Sequence, residues 1–459
     1  MIRFNEEDIQ YLALDLPDEI KFYKYAGDFV GECAAIDEYA ARRPLSEGLR
    51  KRLQIERVIA EELTRDYRID FYSLLTRIQR DYPACRAENL EEIIRIGNAD
   101  YVMRDGKKYF QRSVVSNILD CNERYLQSLD SGVLPAGEPS QLLYNNMKLM
   151  QRDGGRAYHY VIEEHLEPSS KARFEGKLLR VHLPFPAITP IQSGIRLLSS
   201  SHPVYLSQKS AHRTAFFEEY YREGERYSVE FEYTIRVPYL ELDENAVSPN
   251  QPTFYTGEQW PQIRFTPAIT ALAKDLKGSE KNPLLLARRA YDWVTKNVVY
   301  SYMRHYLCID NIPEFAMFNG RGDCGVQALL FITLCRAMGV PARWQSGSAV
   351  RESRIGSHDW AQFYVAPYGW LWADPSFGGG QRRNGCDELW NHYFGNFDPF
   401  REINCTDFQA PFDPPKQYMR TDPYDNQSGE AEYADYGLGF SETKCGRSVV
   451  SFEDIGFTK

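Results

Sequence analysis

Residues 319–344 read NGRGDCGVQALLFITLCRAMGVPARW, and residues 357–380 read SHDWAQFYVAPYGWLWADPSFGGG. The first segment predicts a helix. Gly320, Arg321 and Gly322 make a tight turn, Asp323 is a candidate cap, and the apolar run from Cys324 stops at Gly339, a residue suited to the left-handed position after a helix. Cys324 then lies in the first turn, where the partial positive charge of the helix N-terminus favours thiolate over thiol. Cys335, further along the same helix, reads as a packed core thiol.

The second segment, after a short polar loop, predicts an antiparallel hairpin. His358 opens one strand, Pro367-Tyr368-Gly369 turns the chain, and the return strand ends at Asp374. The open ends of a hairpin lie together, which brings His358 and Asp374 within a residue or two of register. A carboxylate beside an imidazole fixes its tautomer and supports its positive charge. A cationic imidazole near the helix N-terminus would further favour a Cys324 thiolate. Taken singly, a cysteine is more often a buried structural thiol, a histidine a satisfied rim residue, and an Asp-Pro pair a turn. The chemistry is carried by the three in combination.

These pieces, GRGDCGVQALLFITLCRAMGVPAR, SHDWAQFYV and YGWLWADPSFG, together with the preceding RRAYDWVTKNVVYSY, resemble the transglutaminase-like superfamily over about 266–380. The resemblance implies a papain-like α+β catalytic domain, with Cys324 as nucleophile, His358 as base and Asp374 as its partner. Asp359 departs from the family, which more often has a small residue after the histidine, and it adds a second carboxylate near the imidazole. Asn319 and the backbone N–H of Cys324 are the candidate oxyanion donors. Asp323, Asp359 and Trp360 are candidates for the substrate cleft, with packing as the alternative for Trp360.

The chain has 459 residues, 43% hydrophobic and 26% charged, which fits a multidomain globular protein of α+β class. A formal net charge of −10 disfavours nucleic acid or an anionic membrane as main partner. The N-terminus shows no basic stretch followed by an apolar run, and no segment approaches a membrane span. Nine scattered cysteines without a CxxC pair fit reduced thiols and a cytoplasmic location. Cys386 and His392 have no metal-ligand spacing, so neither metal nor cofactor is expected.

Residues 1–135 predict a helical accessory domain. It includes one apolar stripe through Phe22, Tyr25, Phe29, Cys33 and Ile36, and a hairpin turning at Asp105-Gly106. Its basic residues read as a surface hairpin rather than a DNA-reading wing. Residues 136–175 read as a linker with a short helix, and 176–248 as a β-sandwich-like domain anchored by the alternating run Tyr227, Val229, Phe231, Tyr233 and Ile235. Residues 249–380 form the catalytic domain. Gly378, Gly379 and Gly380 read as a flexible lip, and 381–459 as a loop-rich wrapping tail with 422–435 mobile.

The expected function is a bacterial-type cysteine enzyme acting on amide bonds of a peptide or protein through a thioester. Water as acceptor makes it a peptidase or amidase, and a lysine amine makes it a transglutaminase. The alternative is a non-catalytic scaffold that keeps this fold and binds a protein partner.

Overall fold

The computed structural model describes residues 4–42, 44–134, 137, 140–208, 210–420 and 427–457. The single N-terminal stripe folds as two helices, Asp18–Ala26 and Phe29–Arg42. Gly27 divides them at φ 73°, and a Cβ there would meet the Met103 carbonyl oxygen at 1.7 Å, so the chain turns where only glycine fits. Phe29 and Ile36 are buried, whereas Phe22 and Tyr25 face solvent. The helix Glu47–Asp66 starts at Ser46, whose hydroxyl accepts from the Leu49 amide. The expected hairpin pairs Tyr101–Arg104 with Lys107–Gln111, with Asp105 and Gly106 both at positive φ. A third strand, Tyr67–Asp70, completes this small sheet.

Next come two antiparallel sheets. One orders Thr443–Gly456, Gly155–Pro168, Tyr227–Pro238 and Gln192–Ser200. The other orders Tyr436–Gly437, Glu430–Tyr433, Leu178–Pro184, Thr214–Tyr220 and Tyr205–Leu206. Two expectations change here. The linker expected over 136–175 holds the helix Gln141–Asp153 and the 14-residue strand Gly155–Pro168. Tyr160, Ile162 and Leu166 alternate inward along that strand, but buried Glu164 and the polar residues between them mask the period in the sequence. The tail is not mainly loop, because it supplies strands to all three large sheets. Of the segment expected to be mobile, 422–426 lie outside the described residues, and Glu430–Tyr433 is a buried strand.

The remaining half is a helix laid on a five-stranded antiparallel sheet. The helix Cys324–Met338 is buried at every position but Ala337. The sheet orders Phe394–Gly395, Gly369–Ala373, Arg354–Val365, Ala342–Arg351 and Arg401–Cys405. What the sequence read as a polar loop before His358 is a second hairpin, so His358 stands mid-strand opposite Gly347. Phe331 of the helix packs on Phe363 of the sheet. The three glycines belong to the helix Pro375–Arg383 instead of a flexible lip, and a Cβ at Gly378 would meet the Tyr291 hydroxyl at 1.7 Å, whereas Gly380 has open space beside it. One hydrophobic cluster runs without a break from Leu143 through this half to Leu438. Among the described residues, no helix is long and apolar enough to cross a membrane.

Candidate active site

Gly320, at φ 61°, ends the preceding helix Ile312–Asn319. Arg321–Gly322 then pairs with Val299–Tyr300, and Asp323 caps the next helix by accepting from the Val326 amide at 3.1 Å. Cys324 is therefore the first helical residue, as its sequence neighbours require. The N-terminal region fixes this loop from behind. Asp100 is fully buried and binds Arg304 at 2.9 Å and Arg321 at 3.1 Å. Its burial would raise its pKa, but the two guanidiniums hold the carboxyl below its ordinary range. Asn117 donates to Ser301, and Gln111 to the Tyr302 carbonyl.

The Cys324 thiol is 8% exposed and donates to Asp359 Oδ2 at 3.3 Å. It lines a cavity of about 460 Å³ with Asp323, Asp359, Tyr306, Arg112 and Phe440. The pKa reverses the expectation from the helix dipole. Burial, then the charges of Asp359 and Asp323, push the thiol well above its ordinary value. Asp323 is itself raised to about 6 by burial, although it accepts from the Tyr306 hydroxyl at 2.5 Å. The resting group is a thiol.

His358 and Asp374 meet as the hairpin argument requires. His358 Nε2 lies 2.7 Å from Asp374 Oδ2, both groups being buried. Burial would raise the Asp374 pKa, but His358 and Arg401 outweigh it and hold the carboxyl at about 2. An ionised carboxylate only accepts, so Nε2 carries the ring proton and Nδ1 keeps the lone pair. Burial lowers the His358 pKa more than Asp374 raises it, which keeps the ring neutral. Its face packs on Phe377, ring centroids 4.3 Å apart.

Arg401 has no counterpart in the sequence reading. It is fully buried and binds Asp374 at 3.0 Å and Asp398 at 2.6 Å. Its guanidinium lies 4.3 Å from the Phe377 ring centre, so it clamps the carboxylate and the ring packed on the imidazole together. It arrives from the tail strand without a local motif.

The structure therefore assembles two pairs, Cys324 with Asp359 and His358 with Asp374. Among the described residues, the thiol's hydrogen bond goes to Asp359 and not to the imidazole. His358 and Asp359 are consecutive strand residues, whose side chains leave on opposite faces. Gln427 of the tail donates to Asp359 and to the His358 carbonyl. Asp323 and Asp359 line the cavity. Trp360 does not: it is fully buried, with Nε1 donating to Gln345 at 2.8 Å, because it belongs to the packing under Arg401. Asn319 is exposed, does not line the thiol cavity, and donates one N–H of its side-chain amide to the Phe315 carbonyl at 2.9 Å. No group of three or more potential metal ligands occurs among the described residues.

Residues 270–375 match the transglutaminase-like superfamily. No curated protein matches the sequence. Among solved structures, a protein described as a candidate cysteine protease from Cytophaga hutchinsonii aligns over 66% of this chain and 92% of its own, at 13% identity and a TM-score of 0.38. The periplasmic domain of TgpA from Pseudomonas aeruginosa aligns over 53% and 94%, at 12% identity and a TM-score of 0.30. A candidate protease from Parabacteroides distasonis aligns over 47% and 42%, at 13% identity and a TM-score of 0.22.

Proposed function

We propose that the transglutaminase-like domain of this chain is a cysteine-nucleophile enzyme acting on amide bonds of peptides or proteins. The observation that carries this reading is the 2.7 Å contact between His358 Nε2 and Asp374, one strand position from the residue that the Cys324 thiol touches. That contact leaves Nδ1 as the basic atom. In the proposed reaction substrate binding brings the imidazole from its own strand face to the sulfur, the thiol proton passes to Nδ1, and the sulfur attacks the amide carbonyl carbon. His358 returns the proton to the departing amine, leaving a thioester on Cys324. Water, deprotonated by Nδ1, then releases a carboxylic acid and restores the thiol. A primary amine in place of water gives a new amide. We favour water. The flanking helical region and the paired sheets, which we read as accessory and β-sandwich-like domains, would present the substrate.

One observation favours the scaffold reading: the thiol's hydrogen bond goes to Asp359 instead of the imidazole. Incubating wild type and Cys324→Ala with a peptide library, read by mass spectrometry, separates the two. The enzyme reading expects cleaved or deamidated products, and a transient acyl adduct on Cys324, from wild type alone. Equal products from Cys324→Ala, or none from either protein, would sink it.

A further inference from the structure

On the five-stranded sheet lies a second cavity of about 460 Å³ that shares no residue with the thiol cavity. Its polar lining is set by groups whose roles are fixed. Trp360 Nε1 can only donate, and it donates to Gln345 at 2.8 Å, so Gln345 spends its oxygen and keeps its NH₂. Arg343 Nε can only donate, and it donates to Gln362 Oε1 at 2.9 Å, which leaves the Gln362 NH₂ in the same way. Trp372, 6% exposed, has an indole N–H that is buried without a partner. The Arg343 guanidinium stacks 4.1 Å from the Trp370 ring centre and forms no ion pair among the described residues. Asp407 is near enough to oppose the effect of burial on Arg343, but its oxygens serve Tyr255 and the Phe408 amide.

The cavity thus combines one cation with three N–H donors, and no acidic residue lines it. Ile188, Ile191 and Trp370 supply apolar wall. A half-buried guanidinium that forms no ion pair among the described residues and a buried indole N–H without an acceptor both gain when an acceptor arrives. A planar carboxylate matches the guanidinium fork, and the apolar wall matches a hydrophobic body behind it. The geometry points to a binding site for a carboxylate carried on an apolar group, separate from the thiol site and independent of the reaction proposed above. The carboxylate comes either from the C-terminus of an apolar peptide or from a free organic acid.

Isothermal titration of the full chain tests this with three probes: acetyl-Leu-Ala-Phe as the free acid, the same peptide as its C-terminal amide, and phenylacetate. The acid is expected to bind at least about tenfold more tightly than the amide, the scale of a charge-assisted contact. Arg343→Gln should remove that preference, and Trp372→Phe should weaken the acid while leaving Cys324 labelling unchanged. Phenylacetate matching the peptide acid assigns the site to small organic acids, and its failure beside a binding peptide assigns it to chain termini. Equal binding of acid and amide, affinity indifferent to both substitutions, or no saturation by any probe at millimolar concentration would each overturn the site.

Discussion

A thiol that donates to a carboxylate 3.3 Å away, as Cys324 does to Asp359, resists ionisation, because losing its proton would set two negative charges together in a buried place. Asp359→Asn removes one of those charges and keeps the shape. The thiol pKa should fall, and iodoacetamide labelling of Cys324 near neutral pH should rise on the order of tenfold, the effect of one pKa unit on thiolate fraction. An unchanged labelling profile would show that the Asp359 charge does not hold the thiol. The motif made Cys324, His358 and Asp374 legible, since each sits at a helix start or strand position that local sequence can name. Arg401 was not legible: its role exists only because a tail strand pairs beside Ala342–Arg351.

At the scale of elements, the helix Cys324–Met338 depends on Gly325. A Cβ there would meet the Tyr306 hydroxyl at 2.2 Å, Asp359 Oδ2 at 2.7 Å and the Trp344 ring at 2.9 Å. Trp344 is fully buried and cannot swing away. Gly325→Ala is therefore expected to cost about 1–3 kcal/mol, the usual range for overpacking. It should also change Cys324 labelling by displacing Asp359. Thermal unfolding and labelling that both match wild type would refute this. The helix and its cap were readable from Asp323 to Gly339. The hairpin Ala342–Arg351 with Arg354–Val365 was not, because Gly347 and Ser348 on one strand and Gly356 and Ser357 on the other read as loop residues, and only cross-strand pairing makes them strand.

Across the whole molecule, buried carboxyls set the response to pH. Asp374, held at about 2, stabilises the fold above its unfolded value near 4, and that contribution disappears as pH falls through 2. Glu402 acts the other way. Burial raises it to about 7 despite Arg447 nearby, neither oxygen has a hydrogen bond, and Glu164 beside it is raised further by burial and by the Glu402 charge. Its contribution is complete below pH 4.5 and is lost as pH rises through 7. The unfolding free energy should therefore decline between about pH 5 and pH 8, and Glu402→Gln should reduce that decline by on the order of 3 kcal/mol in denaturant titrations at the two pH values. A variant with the wild-type slope would refute the assignment. By itself, the sequence determined the helix start at Cys324, the hairpin joining His358 to Asp374 and the alternating strand Tyr227–Pro238, since caps, turns and period-two burial are encoded within a few residues. Only the tertiary structure decided that the thiol rests on Asp359, that Arg401 clamps Asp374, and that the N-terminal region and the tail hold the site between them. Those contacts join residues far apart in the chain, and their energies come from burial and charge pairing that no local pattern records.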